Sequence, residues 1–317
     1  MTKYLLRRLL SLIPTIFGIT IIVFVVMRLI PGDPIENMLG TDYDEEIAKA
    51  YREELGLDQP VFVQYLRWLG KILQGDLGES IGGGRSVAGE ILDRLPVSLE
   101  LVSFAMIFAI LVALPAGIIS ASRPHSKRDY ASMVLALLGI CIPGFFLGIL
   151  LMLVFGMKLD WLPTSGYTPF GKDPVDHFVR MILPAIALGA QRSAILTRLI
   201  RASMLDALQQ DYITFARAKG VAETVILNLH ALKNALIPTV TMVGLQIGYM
   251  LGGSIIIETL FGIPGLGSFG VQAIYQRDYP NVQGFMLVMS LVFVVSNLVV
   301  DLLYRVLDPQ IRYEQEY

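Results

Sequence analysis

The sequence predicts an all-α integral membrane protein with about six transmembrane helices. Three observations lead there. Of 317 residues, 54 % are hydrophobic and only 16 % are charged, where a soluble domain carries about 25 % charge. Mean hydropathy is +0.62. Six apolar runs are each about as long as the ~20 residues needed to cross a bilayer: 9–30, 98–121, 130–156, 181–200, 235–257 and 282–304. Barrel strands would alternate in polarity and run only ~9–11 residues.

The first run follows Lys3, Arg7 and Arg8 and could pass for a signal peptide. It is longer than a signal's apolar stretch of ~7–15 residues, and Pro31-Gly32-Asp33-Pro34 follows in place of a small-residue cleavage site. Residues 1–30 therefore read as a short tail and a retained first helix. The third and fifth runs hold no charge. The fourth contains Gln191, Arg192 and Arg198. A charge at mid-span costs at least ~2.5 kcal/mol, so either Arg192 faces the protein interior or this helix ends early. Pro115, Pro143, Pro184 and Pro238 fall within or at the start of spans and predict kinks.

Orientation follows from Lys and Arg in the loops. The tail, the second loop (Arg123, Lys127, Arg128) and the fourth loop (Arg201, Arg217, Lys219, Lys233) are basic, whereas the fifth holds only Arg277. Both termini are therefore expected in the cytoplasm. The loop 31–97 is expected outside, as a small helical extracytoplasmic cap. Within it, 44–55 reads as a charged helix. Residues 61–73 read as a helix with an apolar face of Val61, Tyr65, Leu66, Leu69, Ile72 and Leu73. The glycines at 82–84 break the chain before a short helix at 87–95. Such a cap either braces the membrane helices or docks a partner. The third loop, with Trp161, Pro163, Pro169 and Pro174, reads as irregular.

Much chemistry is excluded. A net charge of -2 gives nucleic acid no electrostatic footprint. The single cysteine, Cys141, cannot form an internal disulfide and, lying in an apolar run, reads as a small buried apolar residue and not as a reactive thiol. No phosphate-binding Gly-x-x-x-x-Gly-Lys-Ser/Thr motif occurs. His125, His177 and His230 lack metal-ligand neighbours at helical or turn spacing. No metal site, catalytic residue or cofactor is expected. Uphill transport by this chain would need energy from another subunit or an ion gradient.

The fourth loop, near 201–235, is amphipathic. A helix is expected over 205–219, stopped by Gly220, and a second over 222–234. Together they would form a knob on the membrane surface. In the fifth span, Gly244, Gly248 and Gly252 recur every four residues. That ridge admits a close neighbouring helix. With Met242, Gln246 and Tyr249 it reads as a packing face or as the lining of a permissive path.

Several segments resemble binding-protein-dependent ABC importer permeases of the dipeptide/oligopeptide/nickel branch. The general pattern there is Glu-Ala-Ala, three residues, Gly, nine residues, Ile-x-Leu-Pro. Aligned on Gly220, Thr214 takes the Glu place, Phe215 and Ala216 the Ala places, His230 the Ile, Leu232 the Leu and Lys233 the Pro. The departures, Ala216-Arg217-Ala218-Lys219-Gly220 and His230-Ala231-Leu232-Lys233-Asn234-Ala235, are those of the peptide/nickel branch. Arg28-Leu29-Ile30-Pro31-Gly32-Asp33-Pro34, Leu55-Gly56-Leu57-Asp58-Gln59-Pro60, Gly75-Asp76-Leu77-Gly78, Glu258-Thr259-Leu260-Phe261-Gly262, Arg277-Asp278-Tyr279-Pro280 and Asp308-Pro309-Gln310 are similar as well.

The resemblance implies a core at 98–317 and a cytoplasmic coupling helix. It also implies a second homologous permease subunit, two cytoplasmic ATPase subunits that bind ATP, and an extracytoplasmic substrate-binding protein in a bacterial inner membrane. Thr214, Phe215, Ala216, Arg217, Ala218, Lys219, Gly220, His230 and Leu232 would contact the ATPase. Arg217 and Lys219 would add polar grip, or serve only as topology charges. Di- and oligopeptides are the expected cargo; glutathione, nickel complexes or some sugars are carried by similar proteins. An ion-coupled secondary transporter or a membrane enzyme would need a polar constellation inside the spans, which the sequence does not offer.

Overall fold

The computed structural model describes residues 2–29, 44–46, 48–49, 52, 58–81 and 84–307, with side chains from 10 to 300. Half of the expected helix at 44–55 lies outside these residues, and 31–34, 55–57, 82–83 and 308–310 lie wholly outside them. The described elements are α1 (Thr2–Leu29), α2 (Val61–Leu73), α3 (Val87–Ser122), α4 (Lys127–Cys141) and α5 (Gly144–Leu151), which runs on as a π-helix, Met152–Lys158. Next come α6 (Pro174–Leu208), α7 (Asp211–Ala218), the turn Glu223–Val225 and a π-helix, Ile226–Ala231. That leads into α8 (Leu232–Phe261), followed by α9 (Leu266–Tyr275) and α10 (Tyr279–Leu307). Among the described residues, five helices are long and apolar enough to cross a membrane, and α4 with α5 makes a sixth if they form one broken span.

The third span departs from expectation. It bends by 101° between α4 and α5. Ile142 (ψ 119°) and Pro143 (ψ 139°) are both extended there. Proline pushes its predecessor out of the helical region and offers no N–H to continue the ladder. Pro115, Pro184 and Pro238, in contrast, lie inside continuous helices. The short helix expected at 87–95 is not separate either: α3 runs unbroken from Val87 through Pro96 to Ser122.

The chain divides into two compact units. The first comprises 1–97 and 264–294. In it, α2 packs on α1 through Tyr65, whose hydroxyl is 2.8 Å from Thr20 Oγ1 and whose ring meets Phe24 edge-on at 5.2 Å. Arg28 donates to Gln64 and stacks over Phe24 at 4.3 Å. These polar pairs cover only part of the predicted apolar face, with Leu69 and Ile72 half-buried. Val61, Leu66 and Leu73 point outward, while Gln64 and Tyr65 are buried. Asp278 caps the last helix, accepting from Asn281 N at 3.2 Å and from Ser80 Oγ at 2.6 Å.

The second unit comprises 98–263 and 295–317. Its centre is α6, which packs on α4, α5 and α8. Gly189 lets this helix approach α3, because a Cβ there would collide with the Ala105 carbonyl. At one end, Arg201 Nε and Nη2 donate to Asp129 Oδ1 (2.6 Å) and Oδ2 (2.7 Å). Ser120 Oγ and His125 N also donate to this buried carboxylate. One acid thus ties α3, α4 and α6 together. At the other end, His177 is fully buried among Phe104, Tyr167, Phe170 and Phe178. Its Nε2 lies 2.9 Å from Glu100 Oε1, without hydrogen-bond alignment. Glu100 Oε2 accepts from the Tyr167 hydroxyl at 3.0 Å. Burial and that acceptor together push the Tyr167 phenol up to about 12.

Candidate functional site

The loop after α6 folds into the knob that the sequence predicts, with two differences. The second piece, expected over 222–234, runs on from Glu223 through the π-helix into α8. The helix expected over 205–219 is two helices, because α6 stops at Leu208 and α7 starts at Asp211. Between them, Gln210 is extended (ψ 150°), and its carbonyl accepts from Ile213 N at 3.0 Å. Asp211 stands in the first turn of α7, where the helix dipole favours an acid.

Gly220 ends α7. Its φ of +77° lies in the left-handed region, which costs other residues about 1–2 kcal/mol. Gly220 N donates to Arg217 O (2.9 Å) and Val221 N to Ala216 O (3.2 Å). This pair of reversed bonds satisfies the last carbonyls of the helix. The chain then turns at Glu223, and Arg217 closes the turn with two bonds to the Glu223 carboxylate, at 3.2 and 2.6 Å. Their mutual attraction holds the Glu223 carboxyl below and the Arg217 guanidinium above its ordinary value, the shared hydrogen bonds being the largest cause for each.

The knob has an interior of its own. Ile213, Ile226 and Ala231 are fully buried. Asn234 Nδ2 donates to the Tyr212 hydroxyl at 2.6 Å, joining α7 to the start of α8. Around that bond lies an open groove of about 370 Å³ lined by Ser203, Asp206, Ala207, Gln210, Tyr212, Asn234 and Pro238.

Of the residues expected to contact an ATPase, Thr214, Phe215, Arg217, Ala218, Lys219 and Gly220 are exposed. Ala216, His230 and Leu232 are half-buried. Sequence reasoning missed Tyr212, Val225 and Leu229. With Phe215 they make four large apolar side chains exposed by 40–69 %. Asp211, Thr214, Lys219, Glu223, Asn228 and Lys233 are exposed among them. The signal was present: Tyr212 and Phe215 stand three apart on α7, off the Ile213 face.

The fifth-span residues divide into two sets. Gly244 and Gly248 are buried, and a Cβ on Gly244 would meet Val300 Cγ2 at 2.5 Å, so Gly244 is a packing position. Gly252 is exposed, with nothing within 4 Å of its would-be Cβ. Tyr249 is 60 % exposed and Met242 half-buried. Gln246 is buried and accepts from Arg192 Nη1 at 2.7 Å. Arg192 therefore faces the protein, and α6 continues well past it. Among the described residues, no three His, Cys, Asp or Glu side chains are grouped to hold a metal ion.

The chain has counterparts among known proteins. Residues 113–313 match the family of binding-protein-dependent transport system inner membrane components, and residues 1–102 match the N-terminal family of the same systems. The chain belongs to this family. It is 43 % identical over 314 residues to the glutathione transport system permease protein GsiC of Escherichia coli K12, covering 99 % of this chain and 100 % of that protein. The GsiC of Shigella flexneri serotype 5b is equally similar. Among solved structures, the fold is similar to the inward-facing MetNI methionine ABC transporter (TM-score 0.56, 17 % identity, 69 % of this chain and 96 % of that one). It is also similar to an amino acid ABC transporter (TM-score 0.53, 16 % identity, 68 % and 94 %). This ABC importer permease is thus a multi-pass inner membrane protein, a transport subunit and not an enzyme by itself.

Proposed function

We propose that this permease carries short peptides inward, glutathione among them, driven by ATP that separate subunits hydrolyse. The knob around Gly220 would be the handle. The observation that carries this reading is its construction. The interior is packed and its turn is pinned by Arg217 and Glu223, yet Tyr212, Phe215, Val225 and Leu229 remain exposed among charged and polar neighbours. Apolar side chains in such a setting mark a protein-binding surface. A rigid knob transmits displacement; a floppy loop would absorb it.

The partners in this reading are two cytoplasmic ATPase subunits, a second permease subunit and an extracytoplasmic binding protein. Both termini and the knob would face the cytoplasm. The glutathione named in the relatives supports a tripeptide or similar cargo over a nickel complex. The exposed strip of α8 at Tyr249 and Gly252 would line the path. The test is uptake of labelled glutathione, di- and tripeptides and nickel into proteoliposomes holding the four-subunit membrane complex and binding protein. ATP-dependent peptide accumulation is expected. Accumulation of nickel alone, or uphill uptake by this chain without ATPases, would contradict the reading.

A further inference from the structure

Four arginines lie on α6, and they differ in what neutralises them. Near one end, Arg180 Nε is 2.7 Å from Asp176 Oδ2. Toward the other, Arg201 is paired with Asp129, and Arg198 is exposed. Arg192 sits between, twelve residues or about 18 Å from Arg180 and about 13 Å from Arg201 at 1.5 Å per residue. Among the described residues, no carboxylate lies within 4.0 Å of it. Its partner is a neutral amide, Gln246 Oε1 at 2.7 Å. A charge deep in a membrane span is expensive and is kept where it serves a path or a partner.

The remaining donors of Arg192 are not sealed. A guanidinium has five N–H groups, and one is used on Gln246. No Arg192 nitrogen is among the buried polar atoms left without a partner, so Nε and Nη2 reach accessible surface. The Gln246 bond sets the guanidinium against α8, which carries an exposed strip. Leu245, Tyr249, Gly252 and Ile256 are all exposed and share one face by their spacing of four, three and four residues. Gln246 lies at the edge of this face. Lipid tails cannot solvate that cation, whereas a water-filled path can.

We infer that Arg192 is a specificity-determining residue that receives the carboxylate of the passing substrate. Gln246 fixes the guanidinium from behind, and the free Nε and Nη2 offer the two-pronged donor that a carboxylate accepts. The inference rests on the reading of α8 as lining the path. Peptides carry a terminal carboxylate, and glutathione carries two. An uncompensated positive charge in a low-dielectric passage concentrates such anions over neutral solutes.

The experiment is ATP-driven uptake of glutathione and of Ala-Ala-Ala by the complete complex in proteoliposomes, at matched amounts of inserted complex. Arg192→Gln keeps an amide that can donate to Gln246 but removes the charge; Arg192→Lys keeps the charge. Uptake of both probes should fall about tenfold or more in R192Q and recover to within about threefold of wild type in R192K. Uptake by R192Q within about twofold of wild type would overturn the inference, as would equal loss in both variants, which a purely structural arginine predicts. A wild-type complex that moves neither probe would remove the peptide reading and this inference with it.

Discussion

Arg217 reaches across the Gly220 turn and holds both oxygens of Glu223, at 3.2 and 2.6 Å. The sequence suggested a polar grip on a partner or a topology charge; the structure adds an internal strut. The two side chains are 45 % and 56 % exposed, so the pair is worth no more than about 1 kcal/mol. Its effect should be on shape. Arg217→Gln and Glu223→Gln should each lower transport to a similar degree, and the double variant should be no worse than either. Fully additive losses would show that Arg217 works outside the knob.

Gly220→Val should abolish coupling while the protein still inserts. A β-branched residue at φ +77° is strained by about 1–3 kcal/mol. Nothing lies within 4 Å of its would-be Cβ, so the penalty is conformational and not a clash. Loss of substrate-stimulated ATP hydrolysis with unchanged membrane yield is expected. Gly220→Asn, which tolerates the left-handed region better, should retain more activity than the valine variant.

Asp129→Ala should be the most damaging single change to stability. It strands Arg201, which the acid neutralises, and removes the acceptor of Ser120 and His125. Breaking a buried pair by deleting one partner costs about 3–5 kcal/mol. The thermal midpoint of the purified permease should fall clearly, and in Arg201→Ala as well. An unchanged midpoint in both would refute the tie between α3, α4 and α6.

Gly244 and Gly252 belong to one predicted ridge but should respond oppositely. Gly244→Leu would force side-chain volume into Val300, an overpacking worth about 1–3 kcal/mol. Gly252→Ala has open space and should leave the thermal midpoint unchanged. Equal destabilisation would mean that the whole ridge is packed.

How much of this was readable follows from what each residue's neighbours do. Apolar run length gave six spans because bilayer thickness sets it. Gly220 was legible as a stop because no other residue takes its backbone angle cheaply. The bend at Pro143 was not: four prolines looked alike, and only this one is extended, together with Ile142 before it, while Pro184 and Pro238 remain in helices. The face of α2 was only partly legible: Tyr65 is buried as expected, but so is Gln64, whose bond to Arg28 across to α1 no apolar pattern shows. Asp129 escaped notice for a similar reason, since its partner Arg201 is 72 residues away and spacing cannot reveal it. In the knob, the motif pointed to 214–220, His230 and Leu232, but the exposed Val225 and Leu229 lie between these, and from Ile226 a π-helical stretch shifts the helical register.

The knob's role as the handle for an ATPase is tested most directly by a cross-link. Cys141 is the sole native cysteine and is exposed, so it is first replaced by serine. A cysteine in place of Phe215, 69 % exposed, is then paired with cysteines around the groove of the ATPase subunit in the assembled complex. A disulfide that forms under mild oxidation and blocks uptake is the predicted result. Labelling of position 215 by a membrane-impermeant thiol reagent from outside the cell, in a complex that still transports, would contradict it.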